Sequence, residues 1–353
     1  MRLPFTTLAA LLPILTPLAT AQLHHYATLA GLKYFGAATD TPGQRERAGY
    51  EASYAQYDAI FSDPSEFGQT TPTNGQKWLF TEPSPGVFNF TEGDIVVSLA
   101  TKTGKLLRCH ALVWHSQLAL WVEAKNETEW TKEELSAVIV RHIKGVMGHY
   151  KGQCYAWDVA NEALNDEDGG YRQSIFYKVL GVEFIRLAFK TAAEVDPGAK
   201  LYYNDYGIER PTVGMQAHMH ADNHPTAEDL EETMRGYVQA GAKEVAFTEL
   251  DVRITIPVNE TSLEWQKDGY QKVARACVKV KECVGITLWD FYDPFSWIPY
   301  TFPGKGAGLL WFEDFGKHPA YQGIIETFKE LIKEGTGKCG RRLSRVRRAT
   351  LPR

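Results

Sequence analysis

The sequence predicts an α/β protein folded as a (β/α)8 barrel, a TIM-type architecture, and three observations carry that reading. Short β-rich runs alternate with longer amphipathic segments, the pattern of a parallel sheet with helices between its strands. Eight such runs fit into about 310 residues, which suits a closed barrel. The Gly-rich phosphate loops of doubly wound sheets, GxGxxG and GxxxxGK[ST], follow none of the runs.

The strand runs are, in order, KYFGAATD (33–40), EFGQTTPTNGQKW (66–78), LLRCHALVW (106–114), YAWDVANE (155–162), KLYYND (200–205), VGMQAHM (213–219), EVAFTELDV (244–252) and GITLWDF (285–291). Between them, RERAGYEASYAQYDAIF, KEELSAVIVRHIKGVMGHY, YKVLGVEFIRLAFKTAAEV and AEDLEETMRGYVQAG repeat apolar residues at three and four, as helices do. No Ser/Pro/Gly-rich linker interrupts residues 22–335, so they are expected to form one catalytic-sized domain.

The two ends read differently. Residues 1–21 combine Arg2, an apolar run from Leu8 to Leu18 and the small residues Ala19 and Ala21, the layout of a cleaved secretory signal, so the mature chain is expected to begin at Gln22 and to be extracellular. The apolar run is far short of the 20 or so residues of a membrane span. His24 and His25, beside the cleavage point, read as exposed surface. The tail at 336–353 contains KCGRRLSRVRRATLPR, with seven basic residues and no acid, and reads as a disordered, solvated end. Without that tail and Arg2, 30 basic residues face 43 acidic ones, a balance that does not suit nucleic acid.

In an oxidising compartment the five cysteines are candidates for disulfides, and none has CxxC spacing. Cys277 and Cys283 are close in CVKVKEC and are expected to pair. Cys109 and Cys154 accompany the runs LLRCHALVW and CYAWDVANE, which neighbouring parallel strands would bring within bridging range. Cys339 is left over in the tail. The sequons at Asn89, Asn126 and Asn259 mark exposed backbone in a secreted chain.

In a barrel, chemistry sits at the C-terminal ends of the strands. YAWDVANEAL ends in Asn161 and Glu162, and EVAFTELDVR in Glu249 and Asp251. Two carboxylates from different strands aimed at one mouth are what glycoside hydrolysis uses, one giving a proton to the departing oxygen and one meeting the oxocarbenium-like centre. Around them stand His110, Trp114, His115 and Gln117, Gln216 and His218, and Trp289 and Trp297, a mixture of aromatic faces and polar donors that suits pyranose rings. No HExxH or comparable ligand spacing supports a metal among His110, His115, His218 and His220, and no GxSxG elbow is present.

WDVANEAL, TELDVR, CHALVWHSQ, NGQKW, LYYNDY, GMQAH and SWIPYTFPGKGAGLLWFEDFGKHPAY together resemble the family 10 glycoside hydrolases, secreted endo-1,4-β-xylanases, from about Leu29 to Leu331. The resemblance implies a monomer without cofactor that cleaves xylan by a retaining double displacement. It implies Glu162 as general acid/base and Glu249 as nucleophile, with carboxyl groups roughly 5 to 5.5 Å apart. Asn161 would bond the sugar 2-hydroxyl, while His218 would orient Glu249 with Asp251 behind it. Asn74, Lys77, His110, Trp114, Gln117 and Gln216 would contact sugar, and Trp289 and Trp297 would form an aromatic lid. A β-1,4-glucanase on the same barrel and a xylan-binding protein without catalysis are the alternatives.

Four departures from the family pattern stand out. Thr73 replaces a Glu before Asn74, and Asp290 and Pro294 replace a Gly and a Lys beside the lid. The fourth is larger: the helix that family members carry between the NDY and GxQxH runs is missing, so strands 5 and 6 are expected to be joined without one. Loss of that cover would expose a few hundred Å² of apolar surface, about 5 to 10 kcal/mol of burial. A bare flank, neighbouring segments sliding in, or an incomplete sequence would each account for it.

Overall fold

The computed structural model describes residues 22–39, 50–165, 169–206 and 215–335, so the leader, the basic tail with Cys339, and the stretch 207–214 lie outside it. Eight parallel strands form the barrel: β1 (Tyr34–Thr39), β2 (Gln69–Pro72), β3 (Leu106–Cys109), β4 (Ala156–Asn161), β5 (Lys200–Asn204), β6 (His218–His220), β7 (Val245–Thr255) and β8 (Cys283–Leu288). Ladders join β8 to β1 and run β1–β2–β3–β4–β5 on one side and β6–β7–β8 on the other. Only the β5–β6 neighbours share no ladder among the described residues.

Seven long helices follow the other strands: α1 (Tyr50–Ser62), α2 (Thr91–Thr103), α3 (Lys132–His149), α4 (Glu183–Val195), α5 (Ala227–Gln239), α6 (Glu260–Lys279) and α7 (Pro319–Lys333). Capping boxes start three of them, at Thr131/Glu134, Thr226/Asp229 and Asn259/Ser262, where a side chain and a backbone amide exchange hydrogen bonds that the first turn otherwise lacks. The expected single helix over 177–195 is two pieces, Ile175–Leu180 and α4, because Gly181 adopts φ 60° and ends the first.

Strand side chains alternate between the barrel interior and the helical shell. In β4, Trp157 and Val159 pack outward among α3 and α4, while Asp158 turns inward to the guanidinium of Arg108, both nearly fully buried. Gln69 and Thr287 meet in the same interior at 2.7 Å. The outer shell falls into two apolar clusters, one around β1, β7, β8, α6 and α7, the other around β3, β4, α3 and α4.

The seam lies where those clusters would join. β5 is only half-buried at Leu201, Tyr202 and Tyr203, whereas β1, β4 and β8 are buried throughout. A cavity of about 610 Å³ opens there, lined by Leu201, Tyr203, Met215, Tyr237, Glu244 and Val245 among others. Among the described residues β5 thus stays laddered to β4 while this flank is open. The seam is stitched at its mouth: Gln216 N–H donates to the Asp205 carbonyl at 2.9 Å, and Asn204 Nδ2 reaches Glu249 Oε1 at 2.7 Å. β6 is shorter than the expected run because Ala217 takes φ 67°; Met215–Ala217 instead receives backbone hydrogen bonds from Thr248, Glu249 and Asp251.

Both expected disulfides are present, Cys109–Cys154 linking the end of β3 to the residue two positions ahead of β4, and Cys277–Cys283 linking α6 to β8. Asn89, Asn126 and Asn259 are all exposed. His24 departs from expectation: it is half-buried, and its Nδ1 accepts the Phe35 backbone N–H at 3.1 Å.

Candidate active site

At the C-terminal mouth of the barrel a cleft of about 910 Å³ gathers side chains from six strand ends. Asn74 and Lys77 come from the loop after β2, His110, Trp114 and Gln117 from that after β3, Asn161 and Glu162 from the end of β4, Gln216 from the residues just ahead of β6 and His218 from β6 itself, Glu249 from β7, and Trp289 and Trp297 from the loop after β8. Asp251 and His115, also singled out by the sequence, do not line the cleft: Asp251 lies fully buried behind His218, and His115 Nδ1 is 3.9 Å from Glu162 Oε2.

The two carboxylates are held by different partners. Glu162, at φ 51°, accepts Trp114 Nε1 at 2.7 Å on Oε2 and Gln216 Nε2 at 3.1 Å on Oε1. Glu249, 5% exposed, accepts Asn204 Nδ2, and its other oxygen lies 3.4 Å from His218 Nε2. Burial alone would favour the neutral acid, but the His218 hydrogen bond and the nearby His110 and His218 hold the Glu249 carboxyl below its ordinary range. His218 is sustained as a cation in turn: burial opposes its charge, yet Asp251, 2.7 Å from Nδ1, together with Glu249 pushes its pKa up to about 10.

Gln216 connects the pair, its side chain bonding Glu162 while its carbonyl accepts the Glu249 backbone N–H at 2.9 Å. The side chains of Asn161 and Asn204 lie 2.8 Å apart beneath them. Asp205 fastens the loop after Glu162 to the end of β5, accepting from Leu164 N–H and Tyr206 N–H and from the Tyr203 hydroxyl; burial pushes its pKa up to about 6.

Lys77 Nζ donates to Gln117 Oε1 at 2.6 Å and Asn74 Oδ1 at 3.0 Å, and lies 4.5 Å from the centre of the Trp114 ring. Opposite, Trp297 Nε1 donates to Asp251 Oδ2 at 2.8 Å while its ring packs 4.7 Å from His218. One wall therefore offers polar groups and the other aromatic faces. The histidines each have a local partner: Asp158 for His110, Asp251 for His218, Arg253 for His220. Among the described residues no group of three or more His, Cys, Asp or Glu side chains could hold a metal ion.

The glycosyl hydrolase family 10 model matches residues 22–212 and 211–327. The chain belongs to glycosyl hydrolase family 10. The match divides inside the stretch 207–214. Among similar proteins, "Endo-1,4-beta-xylanase A" of Humicola insolens is 63% identical over 322 residues, covering 85% of this chain and 84% of that protein. Since 85% of this chain is about 300 residues, roughly twenty aligned positions have no counterpart in it. The crystal structure of native xylanase 10B from Thermotoga maritima superposes with a TM-score of 0.80 at 32% identity, covering 89% of this chain and 99% of that one. A family 10 xylanase from Bispora sp. MEY-1, solved with xylobiose, gives 0.80 at 35% identity and coverages of 87% and 99%.

Several residues in or beside the cleft escaped sequence reasoning. Asn204, which holds Glu249 from outside the cleft lining, ends β5 as Asn161 ends β4, so the strand-end rule could have found it. Arg253 lies two residues beyond Asp251 on the same strand and stacks 4.2 Å from the Phe302 ring. Tyr206, Tyr300, Thr301 and Phe302 also line the cleft, and their loops carry no periodic signal.

Proposed function

We propose that this family 10 protein is a retaining endo-1,4-β-xylanase that hydrolyses internal bonds of xylan, with Glu249 as nucleophile and Glu162 as general acid and then base. The observation that carries the reading is the pair of carboxylates in one cleft with unequal surroundings. Glu249 is kept ionised by His218 and Asn204, as a nucleophile must be, while Glu162 takes its hydrogen bonds from the neutral groups of Trp114, Gln216 and Asn161, with the His115 ring farther off at 3.9 Å. The xylanase names of the relatives, and xylobiose in the Bispora structure, support xylan as substrate.

In the first step, Glu249 attacks the anomeric carbon as Glu162 protonates the departing glycosidic oxygen. The covalent intermediate neutralises Glu249, and Glu162, now ionised, takes a proton from the water that releases the sugar. Asn161 would bond the 2-hydroxyl beside the cleaved bond, and Asn74, Lys77, His110 and Gln117 would contact further hydroxyls. Trp114, Trp289 and Trp297 supply apolar sugar-facing surface. Thr73 cannot supply the charged acceptor that the family pattern has there, at a cost of roughly 1.5 to 3 kcal/mol in binding at that position. The protein acts outside the cell, and no described helix is long and apolar enough to cross a membrane.

Purified protein is expected to release reducing ends from xylan with retained anomeric configuration and far less from cellulose; binding of xylan without release would sink the enzymatic reading. The acid limb of kcat/KM tests the His218–Asp251 support. Glu249 works ionised, and its depressed pKa keeps activity as pH falls until that pKa is crossed. In Asp251→Asn, buried His218 loses the neighbour that keeps it charged, so the Glu249 pKa rises and the limb moves up by about one pH unit. An unmoved limb on xylo-oligosaccharides would remove Asp251 from this role.

A further inference from the structure

Away from the cleft, Glu66 is a carboxylate only 2% exposed, just ahead of β2 and therefore at the opposite end of the barrel. Its Oε2 accepts the Gln22 backbone N–H and the Tyr321 hydroxyl, each at 3.1 Å, and its Oε1 has no partner. The segment behind Gln22 is fastened to the same loop. His24 N–H donates to the Glu66 carbonyl and His25 N–H to that of Ser65, both at 3.1 Å, and the Leu23 side chain is fully buried. Asp63 lies on the same loop as Glu66; Lys317 stands over the Tyr321 ring at 3.6 Å; Lys105 is bonded to the Phe67 carbonyl. Among the described residues neither lysine makes a salt bridge to Glu66, although Lys317 is near enough to favour its charge. Burial raises the Glu66 pKa to about 7, against the smaller opposing effects of Lys317 and the two hydrogen bonds.

A buried carboxylate with one idle oxygen is costly unless a cation arrives. The Ala19-Thr20-Ala21 pattern puts the leader's cleavage at the bond before Gln22. Hydrolysis there breaks the Ala21 carbonyl–nitrogen bond, adds water to leave Ala21 as a carboxylate, and turns the Gln22 N–H into an ammonium. The nitrogen that is 3.1 Å from Glu66 then carries a positive charge and three hydrogens.

We propose that Glu66 is the binding site for the α-ammonium group of Gln22, so that removal of the leader creates a buried ion pair locking the N-terminal segment onto the barrel floor. The proposal rests on the leader reading and is independent of the reaction at the cleft. The ammonium's folded pKa is raised above its unfolded value near 8, so its contribution is full below about pH 8 and disappears as pH rises through the raised value. Glu66 alone, raised to about 7 by burial, costs stability as pH rises through that value, and the ammonium offsets this cost by favouring the ionised carboxylate.

Four proteins test this: the chain beginning at Gln22, exposed by specific proteolysis of a tag; the same chain behind a Gly-Ser extension; and both carrying Glu66→Gln. At pH 6.5 the free N-terminus is expected to melt about 3–5 °C above the extended chain. That difference should vanish in the Glu66→Gln pair, and in the wild-type pair above about pH 9.5. Equal melting of the two wild-type chains, or a difference that survives Glu66→Gln, overturns the proposal. So does loss of ammonia from Gln22 in fresh protein, since cyclisation of the α-amine onto the side-chain amide leaves a neutral lactam. Xylan cleavage by all four shows that each is folded. N-terminal sequencing of the naturally secreted protein addresses the leader separately, and a first residue other than Gln22 overturns the site's use in that protein while the four-chain comparison still reports on its chemistry.

Discussion

Glu249→Gln is expected to lower turnover of xylan by about 10⁴-fold or more while leaving the melting temperature within a few degrees. The glutamine keeps the shape of the side chain and an oxygen that accepts from Asn204 Nδ2, so the packing at the end of β7 persists, but the amide cannot form the glycosyl ester. Glu162→Ala separates the roles, because an acid is needed only when the leaving group is poor. On an aryl xyloside with an acidic phenol, formation of the intermediate in Glu162→Ala should approach the unmodified rate, with water attack becoming slow and a burst of phenol visible. Glu249→Gln should show no burst on any substrate. A burst in Glu249→Gln and none in Glu162→Ala would exchange the two assignments. The difference follows from surroundings visible in the cleft: His218 stands 3.4 Å from Glu249 and is itself held charged by Asp251, whereas the hydrogen bonds to Glu162 come from neutral indole and amide groups.

Much of this site was legible because a barrel strand has a period of two and a defined functional end. Once YAWDVANE and EVAFTELDV are read as strands, Glu162 and Glu249 must both emerge at the mouth. Side chains whose roles depend on non-periodic backbone were harder. Asp290 takes φ 66°, which explains why glycine is the common residue there; aspartate is tolerated because its Oδ1 accepts the Phe291 and Tyr292 N–H groups at 2.6 and 3.1 Å. The substitution therefore turns its carboxylate into the turn and toward the Tyr57 hydroxyl, instead of into the cleft beside Trp289. Tyr57 is 233 residues away, and no local pattern announces such a contact. Arg253 and Phe302 meet for the same tertiary reason. The long apolar period over 177–195 concealed a break, since one glycine in a left-handed turn outweighs helical periodicity on both sides.

Restoring a helix between Tyr206 and Met215 is expected to raise the melting temperature by about 5–10 °C without changing kcat more than about twofold. The roughly twenty positions that the Humicola insolens relative has and this chain lacks are enough for a helix about 30 Å long, which spans a barrel strand. Laid over β5 and the start of β7, its apolar face would cover Leu201, Tyr203, Met215, Tyr237 and Val245, which now line the open cavity, and would join two apolar clusters that are separate. The gross burial of about 5 to 10 kcal/mol is partly offset by the entropy of ordering the new segment, leaving a few kcal/mol. Catalysis should be insensitive because the mouth is already stitched: Asn204 holds Glu249, Gln216 holds Glu162, and the Gln216 N–H bonds to the Asp205 carbonyl. A Gly/Ser insert of equal length separates the two effects, since it relieves any tension in the connection but buries nothing. Equal melting of the helical and Gly/Ser inserts would show that the exposed flank costs little and that the seam is held by the polar groups at its mouth. A rise confined to the helical insert would assign the loss to apolar surface along β5, leaving the chemistry of the cleft untouched.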